Sequence, residues 1–524
     1  MVVDRMSIPT TMLSALFFLA FLLSLICLVL IRHRLHSATL PLPPGPKSSW
    51  FGAVKLPRVY PWRTYAEWKH VYGDLIYIHV LGNPVLILNS ASAVSDLLEK
   101  RSANYSSRPV RTMVSELMGW DWMFSSMKYG PVWKQHRNLF LKHFPINATA
   151  PFHPLQIRET HTLLRNLLES PDKFQFHTRR AAAAIILQIT YGIQIDEKVD
   201  EEGDNYVSLA DKAMSNLARA GLFGTYMDYV PALKYLPPWL PGASFKRLAS
   251  QWRALTLEML NRPFDMVKQK MRDGTVSPSI VASELEDIAS GRAPHENERI
   301  LKNVAATTYA AGSDTTVSVL MSLFLAMTKY PEIQCKAQQQ LDQILHGRLP
   351  VFEDRPQLPY IDCICYELLR WNPVTPLGLN HFVSEDDEYK GFKIPKGTTV
   401  LPNVWAILHD PDVYPDPLTF NPDRFQNAEK NIAQGINEIP DAAFGFGRRM
   451  CPGRWLAFDS IWIAVASILT VFRISKAIDK NGNAVDPEVE YASLLISHPK
   501  PFPCIISSRS PDAANLVLQT ADED

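Results

Sequence analysis

The pattern of apolar positions first shows one long uncharged run near the N-terminus. Residues 12–31 are twenty consecutive positions without a charge. At about 1.5 Å per residue they span the roughly 30 Å hydrocarbon core of a bilayer. A cleaved signal peptide is the alternative, but its apolar region is shorter, about 7–15 residues. The run therefore predicts an N-terminal transmembrane helix that stays in the mature protein.

The charges that flank this run predict its orientation. Asp4 and Arg5 cancel before it, whereas a basic segment follows it directly, at Arg32, His33, Arg34 and His36. By the positive-inside rule, the remainder of the chain should lie in the cytosol. We therefore expect reduced cysteines, and no glycan on the Asn-x-Ser/Thr sequences at Asn104 and Asn147.

The rest of the chain has mainly a helical period with a small strand-like part. Residues 40–46 are rich in proline and predict a stiff, extended hinge. Residues 77–89 predict two strands around a Gly-Asn-Pro turn, and residues 373–402 predict short strands with a hairpin turn at 394–397. Helical patterns cover most of residues 91–345, and the longest stretch is 298–330. Residues 454–472 are apolar nearly all round, which indicates a buried helix.

This pattern predicts one mainly α body with a minor β part, preceded by one transmembrane helix. We divide the chain into a membrane anchor with its flanks (1–36), the hinge (37–46), a single globular domain (47–507) and a polar tail (508–524). The tail is expected to be loose.

Composition removes two broad classes of function. Lys and Arg total 53, as do Asp and Glu, so no excess of positive charge is available for nucleic acid. Six cysteines in 524 residues exclude a disulfide-based scaffold.

One cysteine, Cys451, has an unusual setting. It lies in a loop with glycines at 445, 447 and 453, which allow tight turns and close backbone approach to a flat ligand. Pro452 suits the first position of a helix, so a thiolate there would face the positive end of the helix dipole and have a lowered pKa. Arg448 and Arg449 add positive charge.

Several uses of this cysteine can be compared. Zinc and iron–sulfur sites need further cysteines at short spacing, and covalent haem needs Cys-x-x-Cys-His; none of these is present around Cys451. The start of a dinucleotide-binding motif at Gly445 and Gly447 lacks its third glycine, because Met450 stands there. A single thiolate as the axial ligand of non-covalent haem remains.

The segment Phe444-x-x-Gly447-x-Arg449-x-Cys451-x-Gly453 resembles the haem-binding signature of the cytochrome P450 family. Residues 97–101, 113–120 and 234–242 resemble fungal microsomal members of secondary metabolism, of the tryptamine hydroxylase and O-methylsterigmatocystin oxidoreductase types. The resemblance implies the cytochrome P450 fold, with residues 47–507 as one haem-thiolate domain. It also implies haem b, with Cys451 as the iron ligand and with cofactor contacts at Phe444, Gly445, Arg449 and Gly453.

A Glu-x-x-Arg pair occurs twice, at Glu367–Arg370 and at Glu296–Arg299, and by itself is weak evidence because such pairs are common on helix surfaces. Arg424, which follows Glu367–Arg370 in the chain, indicates that this pair and not Glu296–Arg299 is the functional one. In the family, these three residues form a buried network that supports the loop below the haem.

The segment 311–316, Ala-Gly-Ser-Asp-Thr-Thr, lies inside the longest predicted helix although several of its residues are poor helix formers. We expect the Thr315 hydroxyl to bond back to the Ala311 carbonyl and open a kink, with Ala311 and Gly312 letting the haem lie against the helix. A packing kink is the alternative. In family terms, Asp314 and Thr315 match the pair that relays protons to bound dioxygen.

The resemblance also suggests donors for the haem propionates, at Trp133, Arg137, Arg449 and His381. A core histidine is the alternative for His381. Lys134, Arg137, Lys142 and His143 form a basic stretch that would help a reductase dock, or would simply be solvated.

The substrate is the least defined feature of the sequence. Family substrate contacts map to residues 113–124, 217–229, 307–311, 374–379 and 492–496, which are mostly apolar. With no cluster of carboxylates suited to an amine, we favour a lipophilic terpenoid. An aromatic, indole or polyketide substrate, or a rearrangement without O2, is the alternative. The resemblance implies electrons from NADPH–cytochrome P450 reductase and a monomer in the endoplasmic reticulum membrane.

Overall fold

A computed structural model describes residues 23–24, 40–47, 56–145, 148–199, 203, 205–221, 226–427 and 440–521. The predicted transmembrane helix at 12–31 lies outside these residues, apart from Leu23 and Ser24. In the described part of the chain, two helical stretches are long and apolar enough to cross a bilayer, Asn297–Lys329 and Arg454–Val471. Both are mostly buried, so they are core helices of the body.

Helices dominate the described residues, as the sequence pattern predicts. In chain order they are α1 Pro61–Tyr72, α2 Ala91–Val94, α3 Ser102–Tyr105, α4 Pro131–His143, α5 His153–Glu169, α6 Phe174–Tyr191, α7 Tyr206–Gly221, α8 Tyr226–Tyr229, α9 Ser244–Arg272, α10 Ile280–Ala289, α11 Asn297–Gly312, α12 Thr315–Lys329, α13 Pro331–Leu345, α14 Pro359–Trp371, α15 Val404–Leu408, α16 Arg454–Val471 and α17 Pro511–Gln519. Two short π-helical segments are Ser95–Lys100 and Thr112–Leu117. Short 3-10 turns are Phe124–Ser126, Ala150–Phe152, Pro171–Lys173, Pro231–Tyr235, Phe352–Gln357, Pro422–Phe425, Asp441–Phe444 and Gly447–Arg449.

The strands form three small sheets. They are β1 Leu75–Val80, β2 Asn83–Leu88, β3 His381–Phe382, β4 Asp387–Tyr389, β5 Phe392–Ile394, β6 Thr399–Pro402, β7 Phe472–Lys476 and β8 Cys504–Ser508. The largest sheet has the order β1-β2-β6-β3, with β2 and β6 parallel and the other two pairs antiparallel. The β7–β8 pair was not predicted, because its strands are far apart in sequence.

Both predicted strand regions are present, but their turns differ from the prediction. The turn between β1 and β2 is formed by Leu81 and Gly82, both with positive φ, and Asn83 already belongs to β2. The hairpin of the second region joins β4 to β5 through Lys390 and Gly391, not at residues 394–397. Positive φ at the two-residue turns matches the right-handed twist of paired strands.

The core has two main parts that meet along the central helices. One part surrounds α12, α13, α14 and α16, and the other joins α4, α6, α9 and α11 with the segment 113–124. Helix α16 is buried almost throughout from Leu456 to Val471, as its uniformly apolar sequence predicts. It packs directly against α12.

The long helix predicted at 298–330 is instead two helices. The break lies at Ser313 and Asp314, between α11 and α12. Pro331 then begins α13, as its lack of an N–H allows. Among the described residues, the longest unbroken helix is therefore α9, with 29 residues.

The two ends of the predicted globular domain differ from expectation. The hinge is extended but docked on the body, because the Pro44 carbonyl accepts from Tyr77 N–H at 2.9 Å and the Pro41 carbonyl from Lys393 N–H at 2.8 Å. The expectation of a loose tail was wrong, since α17 packs on α5 and α16 and fully buries Val517. Ala513 is buried with it, and Oγ1 of Thr520 accepts from Nη1 of Arg165 at 2.8 Å.

Gly45 is expected to be essential for the docked hinge. A Cβ on Gly45 would lie 2.0 Å from the carbonyl oxygen of Tyr77 in β1, so Gly45→Ala must displace the hinge from the sheet. We expect a loss of about 1–3 kcal/mol in the free energy of unfolding, measured by thermal unfolding, and faster proteolysis of residues 40–47. Gly130→Ala is the control, because a Cβ there meets nothing within 4 Å. Equal melting temperatures for the two variants would contradict this reading.

Candidate functional site

The loop that precedes α16 carries the predicted thiolate ligand, Cys451. The N–H of Cys451 donates to the carbonyl oxygen of Phe444 at 2.8 Å, which closes the loop. Gly445 has φ +85° and Gly447 has φ +54°. A Cβ on Gly447 would lie 2.2 Å from the carbonyl oxygen of Leu98, so only glycine lets the loop pack this closely.

The helix after the loop begins later than predicted, and this changes the electrostatics of the thiol. Helix α16 starts at Arg454 with Gly453 as its N-cap, so Pro452 is not its first residue. Burial raises the pKa of Cys451, while the Gly453 N–H and the guanidinium groups of Arg137 and Arg454 act to lower it. The predicted lowering of this pKa was therefore wrong, because burial outweighs the local donors.

Three of the predicted propionate donors lie together. Trp133 and Arg137 are neighbours on α4, and the Arg137 guanidinium lies 6.0 Å from the Trp133 ring centroid. The Arg449 guanidinium lies over the same ring at 4.3 Å. Its Nε donates to the Ser106 carbonyl at 2.7 Å, but its buried Nη1 has no partner among the described residues. This orphaned donor indicates a missing acceptor at this point.

His381, the fourth predicted donor, is buried beside an arginine that the sequence reasoning missed. The His381 Nδ1 lies 2.8 Å from the carbonyl oxygen of Tyr105. Nη1 of Arg108 donates to the carbonyls of Leu379 and Asn380, at 2.7 and 2.8 Å. Arg108 belongs to no motif and follows no helical spacing, so the sequence offered no signal for it.

Arg108, Arg137, His381 and Arg449 form what we name the cation cluster. Burial, and then the charge of Arg137, lowers the pKa of Arg449 to about 9. Burial and Arg449 lower the pKa of Arg108, and burial and Arg108 lower that of His381. Among the described residues, no carboxylate stands beside any of the four. The cation cluster therefore suits an anionic ligand with more than one negative group.

The helix break between α11 and α12 forms a second part of the site. Oγ1 of Thr315 donates to the Ala311 carbonyl at 2.8 Å, which is the predicted back-bond. Ala311 is exposed although Ala310 is fully buried, so the helix borders accessible space here. The structure gives a further reason for glycine at position 312, which the sequence did not predict. A Cβ there would lie 2.8 Å from Cγ1 of Ile186, so glycine is required by the packing of α11 on α6.

Asp314 and Thr315, the predicted relay pair, contact different partners. Oδ1 of Asp314 lies 3.0 Å from Nε2 of His498, and no described hydrogen bond joins the two relay side chains. His498 was missed because it is distant in sequence and belongs to no motif.

The Glu367–Arg370 pair is completely buried, at 0% exposure for both side chains. Nε and Nη2 of Arg370 donate to the two carboxylate oxygens at 2.6 and 2.8 Å, and Nε of Arg424 donates to Oε1 at 3.3 Å. The predicted contacts are therefore all present. In contrast, Glu296 and Arg299 of the other Glu-x-x-Arg pair are exposed.

The same network reaches the segment that leads to the cysteine loop. Nη1 of Arg370 donates to the carbonyls of Leu408 and Pro417, at 3.0 and 2.9 Å. Leu408 ends α15, which packs against the turn Asp441–Phe444 at the start of the cysteine loop. The buried arginine thus connects α14 mechanically to the loop that carries Cys451.

The segments predicted to contact substrate meet in pairs, where they are described. The Phe124 N–H lies 3.4 Å from Oγ1 of Thr307, and the Leu495 N–H lies 3.5 Å from the Ala218 carbonyl oxygen. The indoles of Trp120 and Trp122 are buried, with centroids 5.1 Å apart.

The basic stretch on α4 is not a continuous docking surface. Arg137 is part of the cation cluster, and Nε2 of His143 lies 2.7 Å from Oε1 of Glu284. Lys142 also contacts Glu284. Of the four residues named for reductase docking, Lys134 is the one that is exposed without a carboxylate partner among the described residues.

Comparisons with known proteins agree with these features. The family model Cytochrome P450 matches residues 42–503. A cytochrome P450 monooxygenase of Postia placenta is 43% identical over 94% of this chain and 95% of its own length, and one of Armillaria gallica is 45% identical over 85% and 87%. A tryptamine 4-monooxygenase of Psilocybe cyanescens is 36% identical over 93% and 96%.

The residues present fit the haem that this family binds. The thiol of Cys451 lies beside Arg137, a member of the cation cluster, and a buried thiolate needs a positive partner such as a metal ion. The cation cluster, with the orphaned Nη1 of Arg449, offers donors to two carboxylates. Cys451 would hold the iron, and the cation cluster with Trp133 would hold the propionates.

Removing the buried carboxylate should prevent haem retention. Glu367→Ala leaves the Arg370 and Arg424 charges without their partner, which costs about 3–5 kcal/mol when a pair is buried. We expect near-complete loss of haem per polypeptide, measured by the carbon monoxide difference spectrum of the reduced protein together with protein quantification.

Glu296→Ala is the matched control, because it removes the glutamate of the same sequence pattern at an exposed position. It should keep the full haem content. A Glu367→Ala variant with full haem content would contradict the supporting function of the network.

Proposed function

Because this chain belongs to the cytochrome P450 family, we propose that it oxidises a lipophilic terpenoid intermediate of fungal secondary metabolism, most simply by hydroxylation. Members of this family are monooxygenases that use O2 and a reductase partner. When bound, the haem activates dioxygen with electrons that originate from NADPH.

We assign the chain's own residues to three tasks around the cofactor. Cys451 holds the iron from a loop that the Phe444 carbonyl closes. The cation cluster neutralises and orients the propionates. The Glu367–Arg370–Arg424 network fixes the segments that support the cysteine loop. An active site needs rigid support of this kind for the groups that contact the cofactor.

Proton supply is the task of the helix break. Splitting of the oxygen–oxygen bond needs protons at the outer oxygen, and a positioned acid beside a hydroxyl can supply them. The hydroxyl of Thr315 donates to Ala311 where α11 borders accessible space, which suits a group that receives and passes on a proton. Asp314, which directly precedes Thr315 in the chain, is the acid that returns a proton to this hydroxyl.

The substrate proposal depends on one observation, the pairing of carboxylates in the substrate-contact segments. Asp228 is nearly buried, but its oxygens lie 2.9 Å from the Met113 N–H and 3.4 Å from Nε of Arg111. Glu116 pairs with Lys234 at 2.6 Å, and Asp121 is exposed. The one largely buried carboxylate described in these segments, Asp228, is therefore already paired, whereas Glu116 and Asp121 lie at the surface. This arrangement supports a neutral, apolar substrate.

One comparison favours an aromatic amine instead. A relative named tryptamine 4-monooxygenase shares 36% of residues with this chain, and an indole would fit beside the Trp120–Trp122 pair. A polyketide, or a rearrangement without O2, has no observation that favours it over the terpenoid.

We place the protein as a monomer in the endoplasmic reticulum membrane, held by the segment 12–31, with residues 47–507 in the cytosol. The side chain of Asn104 supports this orientation. Its amide donates to the Glu385 carbonyl at 3.0 Å, and its oxygen accepts from the Ser384 and Glu385 N–H groups. A glycan on Asn104 would disrupt these bonds, as expected if the protein never meets the lumenal enzymes.

The test is a pair of incubations of microsomes that contain the protein, reductase and NADPH. One receives a mixture of sesquiterpenes and the other tryptamine, both under isotopically labelled dioxygen, with products analysed by mass spectrometry. We expect a terpene product that carries one labelled oxygen atom. Labelled hydroxytryptamine, with no terpene product, would contradict the terpenoid proposal and favour the indole.

Loss of the relay hydroxyl should separate NADPH use from product formation. Thr315→Ala should keep the haem spectrum and continue to oxidise NADPH, but product per NADPH should fall at least about tenfold while peroxide rises.

Thr328→Ala is the matched control, because the Thr328 hydroxyl bonds to the Phe324 carbonyl at 2.7 Å in the same geometry, inside α12 and outside the substrate-contact segments. Equal product per NADPH in the two variants would exclude a relay function for Thr315.

A further inference from the structure

The carboxylate of Asp314 has an unusual orientation for its position in the chain. Asp314 is the N-cap residue of α12, where an aspartate commonly accepts hydrogen bonds from the first N–H groups of the helix. Here its side chain makes no such bond. Its Oδ1 instead lies 3.0 Å from Nε2 of His498. The orientation therefore does not serve to cap the helix.

His498 is held firmly relative to the helix break. The preceding residue, Ser497, has its N–H bonded to the Val374 carbonyl at 2.8 Å. Its own carbonyl accepts from Oγ of Ser318 at 2.8 Å and from the amide of Asn372 at 3.0 Å. The backbone next to His498 is thus fixed to α12 through Ser318. The His498 side chain remains 21% exposed, against 9% for Asp314.

Asp314 also borders a small cleft. The cleft has a volume of ≈ 10 Å³, close to the roughly 10–15 Å³ that a single water requires. Arg179 and Asp211 contribute to its walls and pair with each other, Nε to Oδ1 at 2.9 Å, with both side chains about a third exposed. The charged groups around Asp314 are therefore this self-neutralised pair and His498.

We propose that His498 is a positioning residue that transfers protons from solvent to Asp314 and keeps the Asp314 carboxylate away from Thr315 until it is protonated. This inference rests on the proposed monooxygenase function, and it adds a solvent-side donor to the relay. No electron moves in the step. A solvent hydronium gives a proton to Nδ1 of the imidazole, Nε2 gives its proton to Oδ1 of Asp314, and water and a neutral ring remain.

The chemistry of the pair explains why histidine stands at this position. Histidine side chains generally gain and lose a proton between about pH 5 and 8, whereas lysine and arginine stay charged there. Once the ring is protonated, it and the carboxylate carry opposite charges 3.0 Å apart, and transfer of the proton removes both charges. The neutral acid is then free to turn toward the neighbouring hydroxyl of Thr315.

The decisive variant is His498→Gln, which keeps a polar side chain but cannot carry the proton. The full-length holoenzyme is combined with reductase, NADPH and dioxygen as the only reagents, and oxygen consumption is followed from pH 6 to 8 in water and in deuterium oxide. We expect oxygen consumption to fall at least about fivefold and to become about twofold or more slower again in deuterium oxide. Haem content, from the carbon monoxide difference spectrum, should be unchanged.

Lys500→Ala is the matched control. Lys500 lies two residues further along the same segment, and its exposed pair with Glu490 has Nζ and Oε2 2.6 Å apart. It should leave the rate, its pH dependence and the solvent isotope effect as in the wild type. A fivefold loss in Lys500→Ala as well would show that the segment has only a structural function and would overturn the proposal.

A second measurement does not depend on turnover. The ring signals of His498 are identified in the NMR spectrum of histidine-labelled protein by their loss in His498→Gln, and followed with pH. Asp314→Asn should change the chemical shifts of these signals, because the ring loses the carboxylate oxygen that lies 3.0 Å from its Nε2. His498 ring signals that are the same in the wild type and in Asp314→Asn would overturn the proposal.

Failure of this proposal is distinct from failure of the proposed function. Unchanged oxygen consumption in His498→Gln, with an active wild type, overturns the contribution of His498 alone. A haem-loaded wild type that consumes no oxygen overturns the monooxygenase function, and with it any use of the pair in catalysis.

Discussion

Three members of the cation cluster, Arg108, His381 and Arg449, are buried, and the fourth, Arg137, is partly buried beside the thiol of Cys451. Among the described residues, no carboxylate stands beside any of the four. Burial of unpaired positive charge is costly, and it visibly lowers the pKa of Arg449 to about 9. This charge fits the haem that the family binds, because its two propionates are anionic. The cysteine loop, α4, β3 and the segment around Arg108 each contribute one member of the cluster.

The second buried charge cluster has the opposite balance. Glu367 accepts from both Arg370 and Arg424, and the remaining arginine donors meet backbone carbonyls such as that of Leu408. A fully partnered network gives rigidity and no affinity for a ligand. The structure thus contains two kinds of charged network. The Glu367 network has all its partners and supports the loop, whereas the cation cluster lacks anionic partners and suits the haem. This difference of partners, and not the presence of arginine, distinguishes support from binding.

Predictions from the sequence succeeded where the chemistry is local. The back-bond from Thr315 to Ala311 joins residues one helical turn apart, and Trp133 and Arg137 share a face of α4 for the same reason. The predictions failed where a property depends on interactions with residues that are distant in the sequence. The pKa of Cys451 is raised because its burial, which no motif encodes, exceeds the effect of nearby donors. The packing of Gly312 against Ile186, a residue of another helix, was not predicted for the same reason.

The sequence by itself determined the helical framework, membership of the cytochrome P450 family and the choice of Glu367 over Glu296 for the buried network, because these depend on residue type and short spacing. Only the tertiary structure decided that Arg108 completes the cation cluster and that Asp314 turns to His498. It also decided that Asp228 is already neutralised by Arg111. Each of these is a contact between charges from distant segments. Such contacts depend on which backbones the apolar core brings together, and a linear pattern does not contain that information.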